Sequence, residues 1–292
     1  MNENAQIELE AFFEMSDILI LFNTHLSSQQ QLQQQHNRDL LNGLVLECSL
    51  NDMNMLSIFV NQNVFIDEAL KDAKADTPET IERLHKRRSI LAAFCKLISF
   101  NCVPITYAAE IFRGYIKYSQ AYMDIIKHLL ATCRDISKVS TAKTIVLALQ
   151  REYVDVVNGI MSNSSSRSGD ANQIDRGSSE FLGLKELAHR FCLSFGPEAS
   201  IKSREAIVTI HYEAIKYANE SMDNLSSQSS QTSNKNGAPP NLLFLEVILE
   251  FSSRLAPNDK RSVLAELDKK FAKRANKIEA NNWHSYYAYR IR

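Results

Sequence analysis

Residues 241–255 read NLLFLEVILEFSSRL and are apolar on nearly every side of a helix. The charged residues Glu246, Glu250 and Arg254 recur at intervals of four and therefore form a single polar stripe. Asn241 is a suitable N-cap, and the spacing of Glu250 and Arg254 allows an ion pair worth about 0.3–0.5 kcal/mol. A helix with so wide an apolar surface must be covered on several sides. An inner helix in an array of stacked helix pairs is covered in this way.

Helical periodicity extends through most of the chain outside three polar segments. Apolar residues recur at steps of three and four, and Gly196 followed by Pro197 predicts the end of one helix. The 292 residues include only 8 Gly and 6 Pro, which argues against a many-stranded fold. Successive pairs lie about 35 to 60 residues apart, which favours degenerate HEAT-type repeats. We predict an all-α HEAT-type helical-repeat solenoid of stacked antiparallel helix pairs; a compact helix bundle is the alternative.

Charge divides the chain near residue 80. Residues 1–80 contain 13 acidic and 3 basic residues, a balance of −10, whereas residues 81–292 carry a balance of +9. Such asymmetry suggests contact with nucleic acid or an acidic partner, although an unevenly charged, solvated surface explains it as well. We predict an acidic helical segment at 1–80 and a repeat array at 81–292. The Ser-rich stretches 162–179 and 222–240 are predicted to be mobile loops.

The chain contains no recognisable catalytic or cofactor motif. GxGxxG, Walker, GxSxG and HExxH patterns are absent, and the seven histidines are dispersed. The five cysteines are scattered, form no CxxC pair, and indicate small apolar groups in a reducing compartment. Neither a signal peptide nor a membrane span is predicted. We therefore expect an intracellular, soluble non-enzyme without cofactor, metal or small-molecule substrate.

Two basic clusters are candidate DNA contacts. The first cluster, at residues 86–88, precedes a strongly apolar helix. The second cluster, at residues 269–274, lies on one predicted helix, where basic residues four apart repel each other mildly. Such an arrangement is tolerated if the bases meet phosphates, but solvated charge runs are common and a nuclear-import patch is a further interpretation. The second cluster could also meet the acidic first 80 residues. The candidate DNA-binding residues are Lys86, Arg87, Arg88, Lys269, Lys270, Lys273 and Arg274.

The run RRSILAAFCKLI at residues 87–98 resembles the stromalin (stromal antigen, STAG) family, the HEAT-repeat subunit of cohesin. Further blocks that resemble this family follow in the family's order, and the two longest gaps between them coincide with the Ser-rich stretches. These blocks are AAEIF (108–112), YIKY (115–118), DIIK (124–127), AKT (142–144), LQ (149–150), GLKELAHRF (183–191), SFG (194–196), KSREA (202–206), PPNLLFLE (239–246), EFSSRL (250–255), Trp283 and Tyr289-Arg290. Residues 1–80 resemble the family only loosely.

The resemblance implies a curved helical solenoid that wraps the α-kleisin subunit of cohesin and contacts DNA. It implies a nuclear, chromosome-associated scaffold that supports sister chromatid cohesion and chromosome segregation, with the SMC subunits reached through the kleisin. This chain would correspond to the C-terminal part of that solenoid, downstream of the family's aromatic-motif pocket. A helical-repeat adaptor scaffold outside cohesin is the alternative.

The resemblance also suggests where a kleisin would lie, on or near the stretch from Tyr115 to Asp124 and on a later aligned helix. Tyrosines on this path would offer rigid contact area, and the charged residues would set the register. Helix packing is the competing interpretation of the tyrosines. At Tyr212 the sequence departs from the basic residue expected there. The candidate kleisin-binding residues are Lys117, Tyr118, Tyr122, Asp124, Arg204 and His211.

Overall fold

The computed structural model describes residues 3–23, 45–163, 175–196, 199–220, 238–275 and 283–291. Within these ranges the chain forms α-helices, short 3₁₀-helices and turns and contains no strand, so the predicted all-α class is confirmed. The chain divides into two compact units, residues 1–144 and 145–292. The charge boundary near residue 80 falls inside the first unit. Most of both predicted Ser-rich loops (164–174 and 221–237) lies outside the described residues.

The first unit contains six α-helices and the 3₁₀-helix Ile105–Tyr107 within its described ranges, and a seventh α-helix crosses its end. The α-helices are α1 (Glu3–Leu21), α2 (Leu50–Val64), α3 (Asp67–Asp72), α4 (Pro78–Ser99), α5 (Ala108–Arg113), α6 (Ser119–Ile136) and the crossing helix α7 (Lys138–Asn163). Side-chain capping stabilises the N-termini of two of these helices. Ser49 and Asp52 form a capping box at α2, and Thr77 with Thr80 does the same at α4, where Pro78 occupies the first turn.

Helices α1, α4 and α6 run in the same direction. The C-terminal ends of α1 and α4 meet, because Asn23 Nδ2 donates to the Phe100 carbonyl and lies 3.0 Å from Cys102 Sγ. Arg88 near the middle of α4 contacts Asp124 of α6, and Cys95, about two turns further along α4, lies beside Cys133. Stacked helix pairs produce this order, since each pair places its first helix alongside the first helix of the next.

The second unit contains the remainder of α7 and six further α-helices in its described part. They are α8 (Ser179–Ser194), α9 (Ala199–Lys202), α10 (Arg204–Asn219), α11 (Phe244–Ile248), α12 (Pro257–Ala275) and α13 (His284–Ile291). Ser178 caps α8 by accepting from the Phe181 amide. Gly196, with φ +74°, ends that helical segment, which confirms the predicted stop.

The first half of the apolar stretch 241–255 and Phe251 are buried as predicted, but the stretch is not one continuous α-helix. Every residue from Leu242 to Ile248 is buried, and α11 continues as a 3₁₀-helix, Leu249–Arg254. Asn241 does not cap it; its side-chain amide instead donates to the carbonyls of Tyr217 and Glu220 at the end of α10. The carbonyls at the end of α10 thus orient the Asn241 amide group, and no side-chain cap begins α11.

The predicted Glu250–Arg254 pair is likewise replaced by contacts with α8. Glu250 lies 3.3 Å from His189 Nδ1 and 4.0 Å from Lys185 Nζ. Arg254 donates to the Gly196 carbonyl at 2.8 Å. The tighter turn of a 3₁₀-helix moves residues four apart onto different faces, so each charge meets a neighbouring helix instead.

These contacts define two stacked helix pairs in the second unit. The 241–254 segment runs parallel to α8, since Glu250 faces Lys185 and Arg254 faces Gly196. It runs antiparallel to α10, because Phe244 packs on Tyr217 and Phe251 lies by His211. Helix α12 lies beside α10, and Arg204 at the start of α10 pairs with Asp259 in the first turn of α12. The terminal α13 folds back on α12, where Trp283 and Tyr286 pack against Phe271.

No helix in the described parts of the chain is long and apolar enough to cross a membrane. Three of the five cysteines, Cys95, Cys133 and Cys192, are buried, as small apolar groups are.

Candidate partner interface

Asp72, at the end of α3, holds two arginines of α4. Its side chain is only 5% exposed; Arg83 Nη2 donates to it at 2.6 Å, and Arg87 Nη1 contacts its other oxygen. Hydrogen bonding to Arg83 lowers the pKa of Asp72, and the Arg87 contact adds to this effect. Arg87 is therefore turned inward onto a buried carboxylate.

Arg88 points the other way, onto α6. Its Nη2 and Nη1 atoms donate to the two Asp124 carboxylate oxygens at 2.6 and 3.1 Å, and Nη1 also contacts the Ala121 carbonyl. This bidentate hydrogen bonding lowers the pKa of Asp124. Asp124 remains 67% exposed. The pair thus presents an oriented carboxylate at the surface.

The basic triplet near residue 87 is therefore not a free cationic patch. Lys86 lies 3.2 Å from Glu82, Arg87 meets Asp72, and Arg88 meets Asp124. Each predicted DNA contact of the triplet already has a carboxylate within the first unit. No local sequence pattern indicates these pairs, because Asp72 and Asp124 lie 15 and 36 residues away from Arg87 and Arg88.

The tyrosines of the predicted kleisin path belong to the core of the first unit. Tyr122 is fully buried and donates its hydroxyl to the Val64 carbonyl at 3.0 Å; Tyr118 is 5% exposed. Both rings pack on Phe65, with centroids 5.9 and 5.4 Å away. Gly114 permits this approach, since a Cβ there would lie 2.7 Å from the Phe65 ring. Burial raises the pKa of Tyr122 to about 12. The expectation that these rings form exposed contact area is corrected accordingly.

Lys117, like Asp124, is exposed. Its Nζ lies 3.0 Å from Asp67 Oδ1 and 5.2 Å from the Tyr118 ring centroid, and the side chain is 58% exposed. The hydrogen bond to Asp67 raises the pKa of Lys117. We refer to four side chains together as the charged face of the first unit: Lys117, Asp67, Arg88 and Asp124.

In the second unit the two predicted kleisin contacts have different environments. Arg204 forms a bidentate pair with Asp259, both bonds at 2.7 Å, and is 55% exposed. His211 is fully buried, with Nδ1 against the Tyr289 hydroxyl. Burial lowers the pKa of His211 to about 4, so it is neutral at physiological pH. Its expected surface role is corrected to that of a core side chain.

Helix α12 carries the second basic cluster. Lys269 is 72% exposed with Nζ 3.4 Å from Glu266, and Lys270 lies 3.9 Å from the same carboxylate. Lys273 is exposed, and the side chain of Arg274 lies outside the described residues. The described lysines of the cluster thus form an exposed basic surface beside the Glu266 carboxylate.

Sequence reasoning missed a buried polar centre built on Glu246. Its carboxylate accepts from Arg176 at 2.9 Å and from Ser285 at 2.6 Å, with His284 at 3.4 Å. Burial opposes ionisation of Glu246, but these partners outweigh it and its pKa is lowered. The partners are 38 to 70 residues away in sequence, which no local pattern reveals.

Among the residues that the structure describes, no group of three or more His, Cys, Asp or Glu side chains is placed to hold a metal ion. Stacked helix pairs with ion-paired surface charges define a helical-repeat protein. Comparison with known proteins identifies the family: residues 138–292 match the family model of the STAG protein C-terminal domain. The chain belongs to the STAG family.

Curated relatives agree with this assignment. The chain is 35% identical over 268 residues to cohesin subunit SA-1 of Xenopus laevis, which covers 90% of this chain and 19% of the relative. It is 30% identical over 283 residues to cohesin subunit SA-3 of Mus musculus, covering 95% and 20%. Cohesin subunit scc-3 of Caenorhabditis elegans is 30% identical over 289 residues, covering 99% and 23%. The chain spans about a fifth of the length of these relatives.

Proposed function

We propose that this chain is a cohesin-associated scaffold that binds the α-kleisin subunit and DNA. The observation that carries the proposal is the STAG C-terminal domain match over residues 138–292, together with relatives named as cohesin subunits. In this proposal the chain acts in the nucleus on chromosomes, supports sister chromatid cohesion and chromosome segregation, and reaches the SMC subunits through the kleisin. It has no catalytic role. Purification of the tagged chain from nuclei tests this, because kleisin and SMC subunits should co-purify; recovery of transport or coat proteins instead would favour an adaptor outside cohesin.

The charged face of the first unit supports kleisin binding by its geometry. Asp124 is exposed yet held in one orientation by Arg88, so a partner meets a carboxylate whose rotamer entropy is already lost. Lys117 presents a cation held in place by Asp67. We assign direct contacts to Lys117, Asp124 and, in the second unit, Arg204. Tyr118, Tyr122 and His211 support these positions from the core.

Asp124→Lys is expected to weaken capture of a kleisin segment by at least about tenfold, because it places a second cation beside Arg88 where the partner requires a carboxylate. The exposed pair itself contributes only about 0–1 kcal/mol to folding, so the thermal midpoint should change little. The matched control is Asp135→Lys, an exposed position on the same helix. Pull-down with unchanged affinity would contradict the placement.

A swapped pair separates direct contact from positioning. Arg88→Asp combined with Asp124→Arg restores an internal ion pair but inverts the charge that a partner meets. Binding should remain lost if Asp124 touches the kleisin. Recovery would instead show that the pair only holds α4 and α6 together.

The exposed lysines of α12 support a sequence-independent DNA contact. Each phosphate neutralised contributes about 0.9 to the slope of log affinity against log salt, so four contacts contribute about 3.6. Changing all four bases to Glu should weaken duplex binding, reduce the slope by that amount and act equally on unrelated sequences. Fluorescence anisotropy at several salt concentrations measures this. The four bases are Lys269, Lys270, Lys273 and Arg274.

A control of equal net charge reverses four exposed lysines of the first unit and should leave the slope within about one of the wild type. Equal losses for both quadruple variants would point to overall charge, and an unchanged slope for the α12 variant would contradict the contact. The control positions are Lys71, Lys74, Lys96 and Lys127.

A further inference from the structure

A small cavity opens in the second unit among α10, the 3₁₀-helix, α12 and α13. Its volume is about 150 Å³, and the aliphatic side chains of Leu249 and Leu264 contribute to its walls. The ring of His211 also lines it; that ring is fully buried and neutral, so it adds no charge. In another protein, a cavity of about this volume with an entirely apolar lining holds a benzene ring; here half of the lining residues are apolar and half are polar or charged. One large apolar side chain of a partner therefore fits the space.

Two cationic side chains, Lys260 and Arg290, line the same cavity, and no Asp or Glu is among the lining residues. Arg290 forms an ion pair with Asp268, whose Oδ1 lies 3.1 Å from Arg290 Nε. The Arg290 side chain is 54% exposed. A ligand that fills the cavity thus meets positive charge beside an apolar space. This combination favours an apolar group that carries a carboxylate next to it.

Apolar surface continues outward from the cavity. Ile291, which also lines it, is 86% exposed on the final described turn of α13. An occupant therefore has more apolar surface to contact than the cavity encloses, which favours a chain segment over an isolated small molecule.

We propose that this cavity docks an acidic linear peptide through one large apolar side chain flanked by Asp or Glu. The apolar anchor fills the space between α10 and α12, and the flanking carboxylates face Lys260 and Arg290. The site lies on α10, α12 and α13 of the second unit, whereas the proposed Lys117 and Asp124 contacts lie in the first unit.

Selection of a random heptapeptide phage library against the full chain tests this. Peptides with one Leu, Ile, Met or Phe next to Asp or Glu should be enriched, and the labelled consensus peptide should bind in fluorescence anisotropy. Leu264→Trp, which fills the cavity, and Lys260→Glu should each weaken that peptide at least about tenfold. Arg261→Glu is the matched control, because Arg261 is exposed on the same helix and does not line the cavity. It should stay within about twofold.

A charge-exchanged peptide makes the result independent of the folding of any one variant. A consensus peptide with its acids changed to Lys should bind Lys260→Glu better than it binds the wild type. Failure to enrich acidic, apolar-anchored peptides would overturn the proposal. Peptides that bind Leu264→Trp and Lys260→Glu as tightly as the wild type would also overturn it.

Discussion

Phe251→Ala is expected to lower the free energy of unfolding by about 4 kcal/mol, the largest single effect that we predict. Phe251 is fully buried in the 3₁₀-helix of the stretch 241–255 and packs edge-on against Phe195, with ring centroids 6.5 Å apart. It also lies beside His211 of α10. Removing the ring leaves a cavity between two stacked helix pairs, and neighbours fixed in separate helices cannot close it. The thermal midpoint should fall by roughly 8–16 °C in circular dichroism.

Leu193→Ala is the control for this prediction. Leu193 lies on α8 of the same unit and is 51% exposed, so its truncation should cost less than about 1 kcal/mol. A loss for Phe251→Ala no larger than the loss for Leu193→Ala would mean that the stretch 241–255 does not hold the helix pairs together.

Asp72→Asn is expected to cost about 3 kcal/mol, because it leaves the Arg87 guanidinium without a counter-ion in a nearly buried position. Arg87 is 13% exposed, whereas Arg83, which shares the carboxylate, is 51% exposed and can turn to water. Chemical denaturation of the wild type and the variant measures the difference. Asp67→Asn is the matched control on α3: Asp67 is 75% exposed and pairs with Lys117, so its loss should cost at most about 1 kcal/mol.

The Asp72 effect should also depend on pH in a defined direction. The pKa of Asp72 is lower in the folded chain than in the unfolded chain, mainly through Arg83. Its stabilisation is therefore complete above the unfolded pKa of about 4 and is lost as the pH falls through the lower folded value. Wild type and Asp72→Asn should converge in stability in acid. A difference that stays constant down to low pH would assign the loss to packing and not to charge.

The amino-acid sequence by itself determined the all-α class, the burial of the apolar residues between 242 and 248, and the end of α8 at Gly196. These features depend on short-range rules. An apolar face repeats every three to four residues, and a glycine takes the left-handed conformation that ends a helix. The ordered family blocks likewise predicted membership of the STAG family, which the family match confirms.

Only the tertiary structure decided the partners of the charged and aromatic groups. Glu250 and Arg254 were predicted to pair with each other, but Glu250 contacts α8 and Arg254 contacts the Gly196 carbonyl just beyond it. The neighbours Arg87 and Arg88 pair with carboxylates on two different helices, α3 and α6. Sequence spacing fixes which residues share a helix face but not which helix covers that face.

The same reason explains the tyrosines and the histidine of the predicted kleisin path. Tyr122 and His211 carry polar atoms, which is compatible with a surface, yet both are fully buried. The Val64 carbonyl, 58 residues away, accepts from the Tyr122 hydroxyl, and Tyr289, 78 residues away, meets the His211 ring. A polar group can be buried when a distant partner satisfies its hydrogen bond, and only the packing of the helices supplies that partner.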